Sequence, residues 1–189
     1  MPLRPEYPVV TERLLLRPIG ADDVDAMHAY QSRPDVVRFV PYEPRSREQL
    51  ATIVEQGRYP STIEQAPGHA SMAVTLRAGG ELIGDVVLMW HSAEHRSGEV
   101  GYIFNPSFSG HGYATEAVGE LLRLGFGELG MHRIVARIDA RNDRSSLVAR
   151  RLGMRLEAHL RENEWFKGEW TDELIFAVLR AEWFSPAGG

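Results

Sequence analysis

A glycine pair, Gly110-His111-Gly112, limits what this chain can fold into more than any other feature. Before it lies a strand-like run, EVGYIFNP. After it, from about Ala114 to Leu129, Ala117, Val118, Leu121, Leu122 and Leu129 fall on one helical face, and Gly130 supplies the stop. RIVARIDA then reads as a further strand, so the glycines sit inside a single βαβ unit. Glycines at such a junction allow close backbone approach, and the free first-turn amides favour a phosphate. A nucleoside-triphosphate loop is excluded, because no lysine follows the glycines. A dinucleotide fingerprint fits two of its three glycine positions, with Thr115 at the third and Asp139 where a ribose-binding acid would stand. Against it, dinucleotide domains usually carry the motif on their first strand, and here several antiparallel-looking strands come earlier. The pyrophosphate of an acyl-coenzyme A is the third reading.

Residues 11–19 read as a strand, followed by a helix in ADDVDAMHAYQS with acids in its first turn. Pro34, Pro41 and Pro44 break the next segment into a loop that feeds a helix from about Ser46, where Ser46 and Gln49 have capping-box spacing. HASMAVTLRAGGELIGDVVLMW reads as a hairpin turning at Ala78-Gly79-Gly80. RSSLVARRL reads as a short helix ended by Gly153, and a turn at Lys167-Gly168 joins the last strand-like runs. The order β-α-α-β-β-β-α-β-α-β-β predicts one mixed α/β domain over residues 1–189, with a frayed tail from about 185.

No apolar run approaches a membrane span, and MPLRPEYPVV has no secretory h-region, so a cytoplasmic protein off the membrane is expected. With no cysteine, thiol catalysis and cysteine-ligated metals are excluded. A net charge of -5 argues against a nucleic-acid partner. His91-Ser-Ala-Glu-His95 matches a zinc-peptidase pattern, but it lies in a loop too short for the helix that pattern needs, so no metal is expected.

Ser109-Gly110-His111-Gly112-Tyr113-Ala114 resembles the [Arg/Gln]-x-x-Gly-x-[Gly/Ala] motif of the GNAT superfamily of N-acetyltransferases. The wider frame resembles its RimJ/RimL-like branch, the ribosomal-protein N-terminal acetyltransferases: TERLLLRP, GEVGYIF, GYATEA, LGMHRIVARIDARNDRSSLVARRLGM and LRENEWFKGEWTDELIFAVLRAEW match in order and spacing. The resemblance implies a mostly antiparallel, twisted sheet of about seven strands, splayed between strands 4 and 5, with about four flanking helices. It also implies acetyl-CoA as cofactor. The pantetheine arm would dock on the backbone of Ile103 and Phe104, the pyrophosphate on His111, Gly112, Tyr113, Ala114 and Thr115, and Asn142 and Ser145 would contact the arm. Ser109 departs from the motif's Arg or Gln, which should weaken affinity without abolishing it.

The implied reaction transfers acetyl to a primary amine. An α-amine, roughly a tenth neutral at pH 7, needs only a modest base, whereas a lysine needs more. Glu99 is the candidate base, with a solvated strand-end carboxylate as the alternative. Many superfamily members protonate the departing thiolate with a tyrosine, but Ala149 stands at that position. Ser145 is the nearest hydroxyl, Tyr113 a weaker substitute, and a helix cap is the bland role for Ser145. Trp90, Trp165 and Trp170 line either the acceptor cleft or the packing. The expected acceptor is a protein N-terminus; alternatives are a small amine (polyamine, amino acid or antibiotic) or a non-catalytic acyl-CoA sensor. The branch often forms dimers, so a homodimer is compatible with the sequence.

Overall fold

The computed structural model describes residues 2–185, so all of the expected frayed tail except Ser185 lies outside the described residues. In chain order the elements are β1 (Val9–Val10), β2 (Leu14–Arg17), α1 (Val24–Gln31), α2 (Pro34–Val37), α3 (Arg47–Glu55), β3 (Gly68–Leu76), β4 (Leu82–Ser92) and β5 (Ser97–Phe104). They continue with α4 (Tyr113–Gly127), β6 (Arg133–Asp139), α5 (Asp143–Arg151), β7 (Arg155–Phe166), β8 (Glu169–Leu179) and α6 (Arg180–Phe184). The strands form one open sheet in the order β1-β2-β3-β4-β5-β6-β8-β7. Every neighbouring pair is antiparallel except β5–β6.

That exception is the splay. Only Ser97, Gly98 and Glu99 pair with β6, against Arg133, Ile134 and Val135. Beyond Glu99 the two strands separate, and each is held only by its outer neighbour, β4 or β8. The two strands therefore open a gap whose apex is Glu99.

Apolar residues of α4 and α5 (among them Val118, Leu121, Leu122, Ala149) cover one sheet face in the larger core. Val24, Met27 and Tyr30 of α1, Val37 of α2 and Leu50 of α3 cover the other. α4 lies close to the sheet because Gly125 has no side chain: a Cβ there would stand 2.6 Å from Ile134 Cδ1. No helix among the described residues is long and apolar enough to cross a membrane.

The architecture is the mixed α/β sheet expected, with two differences in count. Residues 11–13 are not strand but the turn of a β1–β2 hairpin, where Thr11 N–H donates to the Leu14 carbonyl (3.0 Å), and this gives an eighth strand. Among the described residues there are six α-helices, not about four. In α2, Pro34 opens a helix instead of breaking one, since the first helical position needs no N–H donor; α6 follows directly on β8. The Ser46 cap forms as its spacing predicts, with Gln49 N–H on Ser46 Oγ (3.3 Å) and Ser46 N–H on Gln49 Oε1 (2.8 Å).

Candidate active site

The glycine loop ends β5 and opens α4. Gly110 (φ +85°) and Gly112 (φ +81°) are both left-handed, and Gly112 caps α4 without any side-chain cap. The first helical bond runs from Glu116 N–H to the Gly112 carbonyl (3.1 Å). Among the described residues no backbone N–H from Gly110 to Thr115 has an acceptor, so these successive amides face outward at the positive end of a helix. Arg13 clasps the loop: Nη1 donates to the His111 carbonyl (2.8 Å), Nε pairs with Glu116 (2.7 Å), and the guanidinium lies 4.9 Å from the Tyr113 ring centroid. His111 stacks on Tyr113, and Ser109 Oγ donates to the Pro106 carbonyl (2.8 Å), which commits that hydroxyl to the turn.

The gap is lined by backbone on its β5 side. Asn105 N–H donates to the Ile83 carbonyl (2.8 Å), and Asp85 pairs with Ile103 in the same register. By antiparallel alternation Ile103 exchanges its bonds with β4, whereas Val100, Tyr102 and Phe104 turn their N–H and C=O groups into the gap. The register thus turns the backbone of Phe104 and Tyr102, rather than that of Ile103, toward the gap; the side chain of Ile103 is buried under α1–α3.

Asn142 caps α5, its Oδ1 accepting from Ser145 N–H (3.1 Å), so that oxygen has a structural use and Nδ2 is left over. Among the described residues three buried hydroxyls have no partner: Tyr102 on β5, Thr115 in the first turn of α4 and Ser146 in the first turn of α5. Free amides at the head of α4 and orphaned hydroxyls on β5, α4 and α5 suit a phosphate-ended, amide-rich, sulfur-bearing cofactor such as coenzyme A. Asp139 is taken by Arg141 (Oδ2 to Nη2, 2.7 Å; Oδ1 to Nε, 2.8 Å), which removes the ribose acceptor that a dinucleotide would need.

Alternation places Glu99 on the sheet face toward α1–α3, where it meets charged groups that sequence spacing does not bring together. His91 Nε2 lies 3.4 Å from Glu99 Oε2. Arg137 forks onto Glu173 (2.8 Å twice) and reaches Glu164 (3.3 Å), and Asn163 Nδ2 donates to Glu173 (3.0 Å). Burial holds the Glu99 carboxyl above its ordinary range; Arg137 opposes this, while Glu173 and Glu164 add to it. His91 ends β4 at a bulge and is half-exposed, so it borders the site instead of sitting in a free loop. His95 lies in the turn. Among the described residues no group of three or more His, Asp or Glu could hold a metal.

On the same face Asp85 accepts from Tyr30 Oη (2.7 Å) and Gln31 Nε2 (3.0 Å), and Arg45 links Gln31 (3.1 Å) to Tyr59 (2.8 Å). Burial pushes the Asp85 carboxyl up to about 6, against the pull of those donors and Arg45. A raised carboxyl contributes stability that is complete below about 3.8 and lost as pH rises through about 6. Asp85→Asn should therefore raise the melting temperature at pH 8 and leave it nearly unchanged at pH 4. The gain at pH 8 is at most about 3 kcal/mol, the free energy of a carboxyl raised from 3.8 to about 6. Thermal melts across pH 4–8 check this.

The hairpin joining β7 and β8 reaches across this face. Lys167 at its tip donates to the carbonyls of Val37 and Tyr42 (2.8 Å each). Asp172 orders a bulge in β7 through Glu162 N–H (2.9 Å) and His159 (2.7 Å). Trp90 is core, whereas Trp165 and Trp170 pack edge-to-face on the exposed hairpin.

Residues 13–155 match the acetyltransferase (GNAT) domain family. The chain belongs to the GNAT acetyltransferase family. It is 33% identical over 175 residues to the uncharacterized N-acetyltransferase YnaD of Bacillus subtilis, covering 93% of this chain and 98% of that protein. Among solved structures, a GNAT-family acetyltransferase from Bacillus anthracis superposes with a TM-score of 0.80 at 32% identity, covering 92% of this chain and 98% of that one. A spermidine N-acetyltransferase from Vibrio cholerae, crystallised with CoA and spermine, shares the fold at a TM-score of 0.77 and 22% identity, covering 93% and 100%. The protein is thus an acetyl-CoA-dependent N-acetyltransferase with a single GNAT fold.

Proposed function

We propose that the enzyme acetylates a small, positively charged primary amine, which enters from the α1–α3 face and gives its proton to Glu99. The carrying observation is that Glu99 is the last β5 residue paired to β6, at the apex of the splay, with its carboxyl held high by burial. Acetyl-CoA supplies the thioester carbonyl that the amine attacks. The amides from Gly110 to Thr115 would hold its pyrophosphate, gap-facing backbone at Phe104 and Tyr102 the pantetheine arm, and Asn142 Nδ2 and Ser145 the region near the sulfur. An amide of β5 aimed into the gap would polarise the carbonyl. His91, half-exposed beside Glu99, offers that proton a way to solvent. Residues 1–189 would act as one catalytic domain.

A cationic acceptor is favoured because Asp85, Glu99, Glu164 and Glu173 share this face and the Lys167 strap ties the hairpin over it. Two spermidine acetyltransferases in the comparison, from Escherichia coli and Vibrio cholerae, make polyamines the first compounds to try. A protein N-terminus is the second reading, supported by the motifs shared with the RimJ/RimL-like branch and by the modest base an α-amine requires. Thiol release from acetyl-CoA, measured against polyamines, amino acids, aminoglycosides and short peptides, tests both. Turnover of peptides alone would reject the small-amine reading, and CoA binding without any turnover would point to a sensor.

A further inference from the structure

Ala149 on α5 offers no hydroxyl to the gap, yet one strand position supplies one. Of the residues whose backbone faces the gap, Val100, Tyr102 and Phe104, only Tyr102 carries a hydroxyl, and that oxygen is buried with no hydrogen-bond partner. The ring is fixed edge-on against Phe104 (6.2 Å between centroids, 67°) on the side covered by α4 and α5. Ser145, one helical turn before Ala149, lies beside the hydroxyl without closing a bond to it. A buried hydroxyl left unpaired is uncommon and has something to gain from a ligand. With the pyrophosphate at Gly110–Thr115 and the amine at Glu99, the cofactor arm must pass Tyr102, and its sulfur must come to rest between Tyr102 and Glu99, about 10 Å apart along the strand.

We propose that Tyr102 Oη is the hydrogen-bond donor to the coenzyme A sulfur, stabilising the thiolate as the carbon–sulfur bond breaks. The electron pair of that bond stays on sulfur, the amine proton passes to Glu99, and the thiolate takes its own proton from water after release. Tyr102 keeps its proton. Burial pushes its hydroxyl up to about 12, with a smaller opposing pull from Ser145, while an ordinary thiol ionises near 8.5. Full transfer from the phenol to the thiolate would run uphill by a factor of more than about a thousand, so donation without transfer is the chemistry available.

The proposal rests on coenzyme A binding in the splay. The test is Tyr102→Phe, titrated calorimetrically with CoA and with desulfo-CoA. The wild type should prefer CoA by about tenfold, and Y102F should cut that preference to about twofold by weakening CoA alone. The thiolate absorbance of bound CoA should show a thiol pKa below about 8.5 in the wild type and about one unit higher in Y102F. Because the hydroxyl has no partner, Y102F should melt at the wild-type temperature or above. Equal weakening of both ligands would mark Tyr102 as packing only and overturn the proposal, as would an unchanged preference and thiol pKa. Failure of the wild type to bind either ligand would instead sink the site assignment. A fluorinated tyrosine at 102, which keeps ring and hydroxyl but is more acidic, should lower the bound thiol pKa further; no shift counts against the proposal.

Discussion

Glu99→Gln should lower kcat by about 10²–10³-fold while leaving CoA affinity within about twofold. The substitution keeps the shape and removes the carboxylate at the apex of the splay, so the loss should appear in kcat far more than in KM for the amine. The pH profile separates this from a general defect. Burial holds the Glu99 carboxyl above its usual range, so the wild-type acidic limb should lie above about 4.5 and level off once Glu99 is ionised. In E99Q the residual rate should keep climbing with pH until the amine itself is neutral. Stability gives an independent control. A carboxyl with a raised folded-state pKa stabilises below its unfolded value, and that contribution is lost as pH rises through the folded one. Removing it should leave E99Q at least as stable as the wild type at pH 8, so lost activity could not be blamed on unfolding. An E99Q enzyme with the wild-type kcat and acidic limb would show that another group, or water alone, takes the proton.

Local signals carry most of the sheet and helices but little of the acceptor face. Period-two runs and the Ala78-Gly79-Gly80 and Lys167-Gly168 turns mark β3, β4, β7 and β8, whereas α4 ends at Gly127, short of the Leu129 end that Gly130 predicts. The splay does not follow from those patterns. Strand pairing is long-range, and only the likeness of several separate motifs implies it; the register that ends at Glu99 then shows it. The proline segment misleads for a local reason, since Pro34 is as good at opening a helix as at breaking one. His91 reaches Glu99 because it lies on the same sheet face as Met89, the β4 partner of Glu99, and that pairing is set by a register that no local pattern announces. Arg13 bonds to His111 across 98 positions, and no sequence spacing announces it. Tyr102 reads as one more aromatic in a strand. Its importance lies in a hydrogen bond that is missing, and that is visible only once its surroundings are packed.

Gly112→Val should weaken acetyl-CoA use by more than 100-fold in kcat/KM while sparing a donor that has no pyrophosphate. Gly112 sits at φ +81°, ψ 5°, a conformation a β-branched residue adopts only at a cost of about 1–3 kcal/mol. Space in the folded chain is not the obstacle, because an added Cβ would meet only Arg13 Nη2, at 3.6 Å, an ordinary contact. The fold should therefore survive with a lowered melting temperature. Binding should suffer more, because the backbone can relax from the left-handed region only by re-aiming the free amides of Gly110 through Thr115, and a branched side chain then stands where a phosphate must approach. A hundredfold loss corresponds to about 2.7 kcal/mol, comparable to losing one or two charge-assisted hydrogen bonds. Acetyl-pantetheine carries the same thioester and arm without the phosphates. Its kcat/KM should stay within about threefold of the wild type in G112V, since β5, Glu99 and Tyr102 are untouched. Should both donors fall equally, the loop would be shaping the whole active site instead of gripping a pyrophosphate. Should neither fall, the phosphates must bind elsewhere, and Arg13 with the first turn of α4 would be the next place to look.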